Sequence, residues 1–124
     1  MTVLVDSDVL IEVSRERNHE ILSRWTQLAE SGSAILCSPV SSAELWAGAL
    51  PREHEATTKL FRTLVCVAID YETGRQAGDY LRHYSKSHGL EIGDALIAAA
   101  AVLNRAELWT RNRKHYPMKE LSFY

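Results

Sequence analysis

Cysteine is nearly missing from this 124-residue chain: only Cys37 and Cys66 occur, each inside an apolar stretch. So few exclude a disulfide framework and read as reduced core residues of a cytosolic protein. No apolar run exceeds Ala95 to Leu103, far short of the ~20 residues a membrane-spanning helix needs. No basic stretch precedes Asp6, so no signal peptide is expected, and the expected location is the cytoplasm with no membrane partner. The six glycines build no phosphate-cradling loop, and there is no G-x-S-x-G nucleophile elbow. Five histidines, at 19, 54, 83, 88 and 115, show no metal-ligand spacing.

What is present is an apolar content of 46% with 24% charged residues, enough for a real core in a chain the size of one ordinary domain. Net charge is −2, which does not advertise a nucleic-acid binder. The distribution is more informative. Arginine outnumbers lysine ten to four, and Arg15, Arg17, Arg52, Arg111 and Arg113 fall near turns. Guanidinium groups suit bidentate phosphate contacts, although ordinary surface charge explains them equally simply.

Short apolar strands alternate with helical patterns along the chain. Residues 2–5 read as a buried strand, followed by a helix from Val9 and another from about Glu20 to Glu30. "AILCSP" predicts a second strand closed by Pro39, then a helix from about Ser42 to Leu50 and another running from Pro51 to near Leu64. "VCVAI" predicts a third strand, followed by a long helix from about Glu72 to Lys86. "GDALIAAAAVLNR" is a helix rich in small residues, "AELWT" a fourth strand, "RNRKHYP" a turn or short helix, and "ELSFY" a possible edge strand. The pattern predicts an α/β three-layer sandwich with a central, mainly parallel sheet of four or five strands, in one domain spanning residues 1–124.

In a parallel sheet the carboxyl ends of the strands share one edge, where ligands bind. Asp6 and Asp8 follow the first strand, Glu44 the second and Asn112 the fourth. Asp94 opens a helix running antiparallel to the strands, so it reaches the same edge. Each has a plain alternative. Asp6 or Ser7 caps a helix, Ser41 and Glu44 fit an S-x-x-E capping box, Asp94 favours a first helical turn, and Asn112 is a turn residue. Convergence is the sharper reading. Unit charges roughly 4 Å apart repel by about 4 kcal/mol at an effective dielectric near 20, so three gathered carboxylates need a cation or protons. Oxygen ligands without Cys or His suit Mg²⁺ or Mn²⁺ rather than zinc.

The stretches "VLVDSDVLIE", "SSAELWAG", "GLEIGDALIAAAA" and "LWTRNRKHY" resemble, in order, the four motifs of PIN-domain ribonucleases, with VapC-type toxins of toxin–antitoxin modules the nearest match. The resemblance covers residues 2 to about 117. It implies a PIN-like fold and a Mg²⁺-dependent endoribonuclease, with Asp6, Glu44 and Asp94 as metal ligands and Asn112 where many members carry a fourth acid. An amide there brings no charge, which bears on a second metal. Asp8, Glu91 and Thr110 become supporting residues around the ligands, and Thr110 is placed to hydrogen-bond a carboxylate. Arg15, Arg17, Arg111, Arg113 and Lys114 are the RNA-backbone candidates. Trp46 and Tyr116 are candidates to stack on a base, with core packing the simpler role for Trp46. The resemblance further implies an RNA substrate, a cognate antitoxin, and a homodimer formed through Leu45–Leu64 and the helix from Glu72.

Other readings compete. "DSDVL" echoes the D-x-D of haloacid-dehalogenase-like phosphatases, but Leu10 stands where that family wants Thr, and no Asp-Asp or G-D-x-x-x-D follows. A receiver domain has this length and fold class, and Asp70 follows the third strand, but its remaining pattern is poorly matched. A non-catalytic PIN-like RNA-binding module is the third.

Overall fold

The computed structural model describes residues 1–124. Four parallel strands, β1 (Thr2–Val5), β2 (Ala34–Cys37), β3 (Val65–Cys66) and β4 (Glu107–Trp109), lie in the order β3-β2-β1-β4. The helices are α1 (Ser7–Arg15), α2 (His19–Glu30), α3 (Pro39–Gly48), α4 (His54–Arg62), α5 (Tyr71–His88) and α6 (Ile92–Leu103), with short 3₁₀ turns at Pro51–Glu53 and Arg113–His115. None is long and apolar enough to cross a membrane.

Alternation along the strands builds two cores. Leu4, Leu36 and Leu108 face α5 and α6, while Val3, Val5, Cys37 and Trp109 face α1 to α4. Pairing puts Leu4 level with both Leu36 and Leu108, so a slip of one residue would turn each of these side chains to the wrong layer. In α6, Ala98, Ala99, Ala100 and Ala101 are all fully buried. Their small side chains let the helix lie close to the sheet with α5 outside it. On the opposite face Trp25 stacks on Trp109 with centroids 6.3 Å apart, and the Arg24 guanidinium lies within 5 Å of both the Trp109 and Tyr124 rings, at 4.8 and 4.7 Å.

The chain order explains where a ligand fits. From β1 the chain moves outward to β2 and β3, then returns across the sheet to β4 on the other side of β1. Right-handed crossovers in opposite directions put helices on opposite faces and leave a crevice beyond the carboxyl ends of β1 and β4.

Several expectations are corrected. Pro39 does not close β2 but opens α3, with Ser38 as its N-cap, because proline suits a first helical turn. Ser41 is therefore inside the helix and no capping box with Glu44 forms. The third strand is only Val65–Cys66. The tail contributes a single parallel bridge, Leu108 to Phe123, instead of a full strand. Cys37 is buried, but Cys66 is exposed on the edge strand and is not a core residue. Trp46 is also outside the core, 38% exposed and edge-on to His54 at 5.3 Å.

Gly89 ends α5 in the left-handed region at φ +63°, with no atom near enough to obstruct a Cβ. The cost of a side chain there is then purely backbone. Gly89→Ala is expected to destabilise the protein by about 1 kcal/mol, read as a lower urea midpoint with an unchanged m-value.

Candidate active site

Asp6 stands where β1 ends and α1 begins, and it is both cap and site residue. Its backbone N–H is bound to the Trp109 carbonyl at 2.9 Å, tying it to β4. Oδ1 accepts the Ser7 N–H at 2.7 Å, while Oδ2 accepts Thr110 Oγ1 at 2.9 Å and the Tyr116 hydroxyl at 2.7 Å. A buried carboxylate held by several donors has one orientation only.

Asp8 lies in the first turn of α1, beside Asp6. Its Oδ2 accepts Thr110 Oγ1 at 3.3 Å and the Arg111 N–H at 3.0 Å. Burial, with the Asp6 charge second, pushes its carboxyl up to about 6. Asp94, in the first turn of α6, is likewise raised, by burial and then by Asp6. The three aspartates thus share one electrostatic environment. His115 Nδ1 stands 3.9 Å from Asp94 Oδ2. Glu44 arrives from the other side: Ser7 Oγ donates to its Oε1 at 2.7 Å and lies 2.9 Å from Ser41 Oγ.

The remaining sequence candidates fall into distinct places. Thr110 bridges Asp6 and Asp8. Asn112 makes the 3₁₀ turn through its backbone, and its side chain forms no cap bond. Glu91 occupies the N-cap position of α6, also without a side-chain cap bond, and is exposed. Arg111 pairs with Glu12 at 3.3 Å. Arg113 donates to the Tyr124 carbonyl at 3.2 Å and lies 5.2 Å from the centre of the Phe123 ring. Arg15, Arg17 and Lys114 are exposed.

Tyr116 is a correction. It cannot stack on a base, because it is 4% exposed and its hydroxyl is committed to Asp6. Ser7 and His115 touch Glu44 and Asp94, contacts that sequence spacing does not reveal, since each reaches this cluster only through the fold. Asp70, the acid a receiver domain would need, is an exposed cap whose Oδ1 accepts the Thr73 N–H at 3.0 Å and Oγ1 at 2.9 Å.

No three acidic, histidine or cysteine side chains stand close enough to enclose an ion by themselves. The donors nevertheless fit a hard divalent cation that keeps much of its water. They are all oxygens, they repel one another, and Asp8 Oδ1 is buried with no hydrogen-bond partner. Such an orphaned carboxylate oxygen calls for a cation or a water beside it.

Residues 3–121 match the PIN domain family. The chain belongs to that family. Ribonuclease VapC10 of Mycobacterium tuberculosis is 35% identical to this PIN-domain protein over 119 residues, covering 95% of this chain and 88% of the relative. The solved structure of VapBC2 from Rickettsia felis bound to a DNA fragment from their promoter has a similar chain. Its TM-score is 0.83 at 20% identity, over 100% of this chain and 98% of that one. A toxin–antitoxin complex from Klebsiella pneumoniae gives a TM-score of 0.74 at 24% identity, over 96% and 94%. These structures share the fold, and the family match removes the phosphatase and receiver readings.

Proposed function

We propose that this PIN-domain protein is a divalent-metal-dependent endoribonuclease and the toxin of a toxin–antitoxin pair, working as a single catalytic domain in the cytoplasm. The observation that carries the reading is the buried Asp6 carboxylate, fixed by three donors beside two aspartates whose carboxyls are both raised. Identity to a named ribonuclease over nearly the whole chain supports the same reaction class.

Asp6 and Asp94 would hold Mg²⁺, with Mn²⁺ as the alternative, and Asp8, whose Oδ1 has no hydrogen-bond partner, would support them from beside the site. When bound, the ion supplies charge stabilisation at the phosphate and a water acidic enough to ionise near neutral pH. Glu44, positioned by Ser7, accepts a proton from the attacking water. The water oxygen bonds to phosphorus as the bond to the 3′-oxygen breaks, and that oxygen takes up a proton from solvent, leaving a 5′-phosphate and a 3′-hydroxyl. Asn112 brings an amide and no charge, so the chain provides for one firmly held metal.

The cognate antitoxin is inferred from the toxin–antitoxin assemblies that share the fold. A second copy of the chain pairs through the parts of the Leu45–Leu64 and α5 surface that lie outside the groove around Leu50 and Arg52; Leu45, Leu60 and Leu64 are spent on the core, while Trp46 and Tyr71 remain exposed.

The test is cleavage of single-stranded RNA by the purified chain with Mg²⁺, with Mn²⁺, and after chelation. The expected result is internal cuts bearing 5′-phosphates that disappear with the metal, and a melting temperature that rises when metal is restored. Metal-independent cutting rejects the metal dependence, and no cutting of any RNA tested while metal still stabilises the fold rejects the enzyme.

A further inference from the structure

Two linked depressions, which share Ser14, Arg15 and Arg52, lie beside Glu44. The inner cleft, about 250 Å³, has Glu44 and Thr57 among its walls and Arg15 and Arg52 at its mouth. It opens into a shallower groove, about 630 Å³, that shares Arg15 and Arg52 and adds Arg17. Leu50 is the only apolar side chain lining that groove, so it offers little to a hydrophobic helix.

Its charge is unspent. None of the ion pairs in the molecule involves Arg15, Arg17 or Arg52, and all three are exposed. Glu53, the one acid of the groove, is occupied: its Oε1 accepts the Leu50 N–H at 2.8 Å and so fixes the turn that presents Arg52. Arg15 and Arg17 flank Glu16, whose left-handed backbone at φ 54° ends α1. By contrast, Arg111 and Arg113 already hold internal partners.

Building on the ribonuclease reading, we propose that the Arg15–Arg17–Arg52 groove is the track for the single-stranded RNA backbone flanking the scissile phosphate, with Arg52 as a positioning residue that sequence motifs do not assign. Three guanidinium groups in an open, polar channel that leads to Glu44 suit successive phosphates, which carry charge but no sequence information. Substrate held there is drawn across the site in one direction.

The experiment measures binding apart from cleavage. Asp94→Asn protein is titrated against a fluorescent oligouridylate by anisotropy over a range of salt, alone and with Arg52→Ala, Arg52→Lys or Arg75→Ala added. Arg75 lies on α5, across the sheet from the groove. The expected result is weaker binding with Arg52→Ala and a slope of log affinity against log salt that is shallower by about 0.7 per lost phosphate contact. Arg52→Lys restores most of that slope, and Arg75→Ala leaves it unchanged. An unchanged slope with Arg52→Ala, absent binding at low salt, or an effect confined to capture of a protein partner overturns the track. Cleavage by the unmodified chain is scored separately. A chain that binds through Arg52 but cuts nothing refutes the ribonuclease reading and leaves the track standing.

Discussion

Asp94→Asn is expected to leave a folded protein that cleaves RNA more slowly by at least on the order of 10²–10³-fold, without losing stability in the absence of metal. The two effects have one cause. Asp94 is half-buried and shares its surroundings with Asp6, which together with burial lifts its carboxyl above the ordinary range. The amide keeps the shape but removes the repulsion, and it also removes the charge a divalent ion needs. The pH dependence follows. Asp8, lifted from 3.8 to about 6, and Asp94, lifted in the same direction, retain protons in the folded state that the unfolded chain releases. The Asp8 contribution to metal-free stability is therefore fully present below the ordinary carboxylate value and is lost as pH rises through about 6, and Asp94 adds to the decline in the same direction. In Asp94→Asn that decline is shallower. Metal reverses the order at neutral pH: saturation at a hundred times Kd adds about 2.7 kcal/mol to the unmodified protein and much less to the variant. Melting curves across pH with and without Mn²⁺, alongside a cleavage assay, separate these outcomes. A variant that cuts normally, or one that is unfolded at neutral pH, sinks the assignment of Asp94.

The placement of Asp6, Asp8 and Asp94 was legible because it depends on topology. A buried Val-Leu-Val strand followed directly by carboxylates, and an antiparallel helix beginning at Asp94, fix which edge those residues reach whatever the details of packing. Pro39 was not legible. A proline ends a strand or starts a helix equally well, and only Ser38 acting as the cap decides between them. The same limit governs side-chain roles. Thr110 needs only its position at the end of β4 to reach Asp6. Tyr116 lies beyond a 3₁₀ turn, and nothing local indicates that its hydroxyl points inward. Trp46 follows core spacing in α3, yet the helix presents that residue to solvent because Ser41 and Leu45 supply the buried face. Periodicity gives the faces of a helix but does not say which of them the neighbouring elements cover.

Tyr116→Phe isolates the most buried of the contacts that hold Asp6. The ring stays in the core with Met118 and Leu121, so no cavity opens, and only the hydroxyl that donates to Asp6 Oδ2 at 2.7 Å is lost. Burial and the adjacent Asp6 charge keep the phenol protonated far above its ordinary range, so the hydroxyl is a donor at every working pH. A hydrogen bond to a charged group contributes about 1.5–3 kcal/mol, which at roughly 4 °C per kcal/mol lowers the melting temperature by roughly 6–12 °C. Asp6 keeps the Ser7 N–H and Thr110 donors, so it remains in place but is aimed less rigidly. Losing such a supporting partner typically costs about 10–100-fold in metal affinity or activity. The loss is therefore expected to appear chiefly as a higher Mn²⁺ concentration for half-maximal cleavage and to be largely recovered at saturating metal, whereas the Asp94→Asn defect is not. A hydroxyl that serves the fold alone would lower the melting temperature and leave the metal titration unmoved. Equal titration midpoints in Tyr116→Phe and the unmodified chain would show that Asp6 needs no help from Tyr116 to meet the ion.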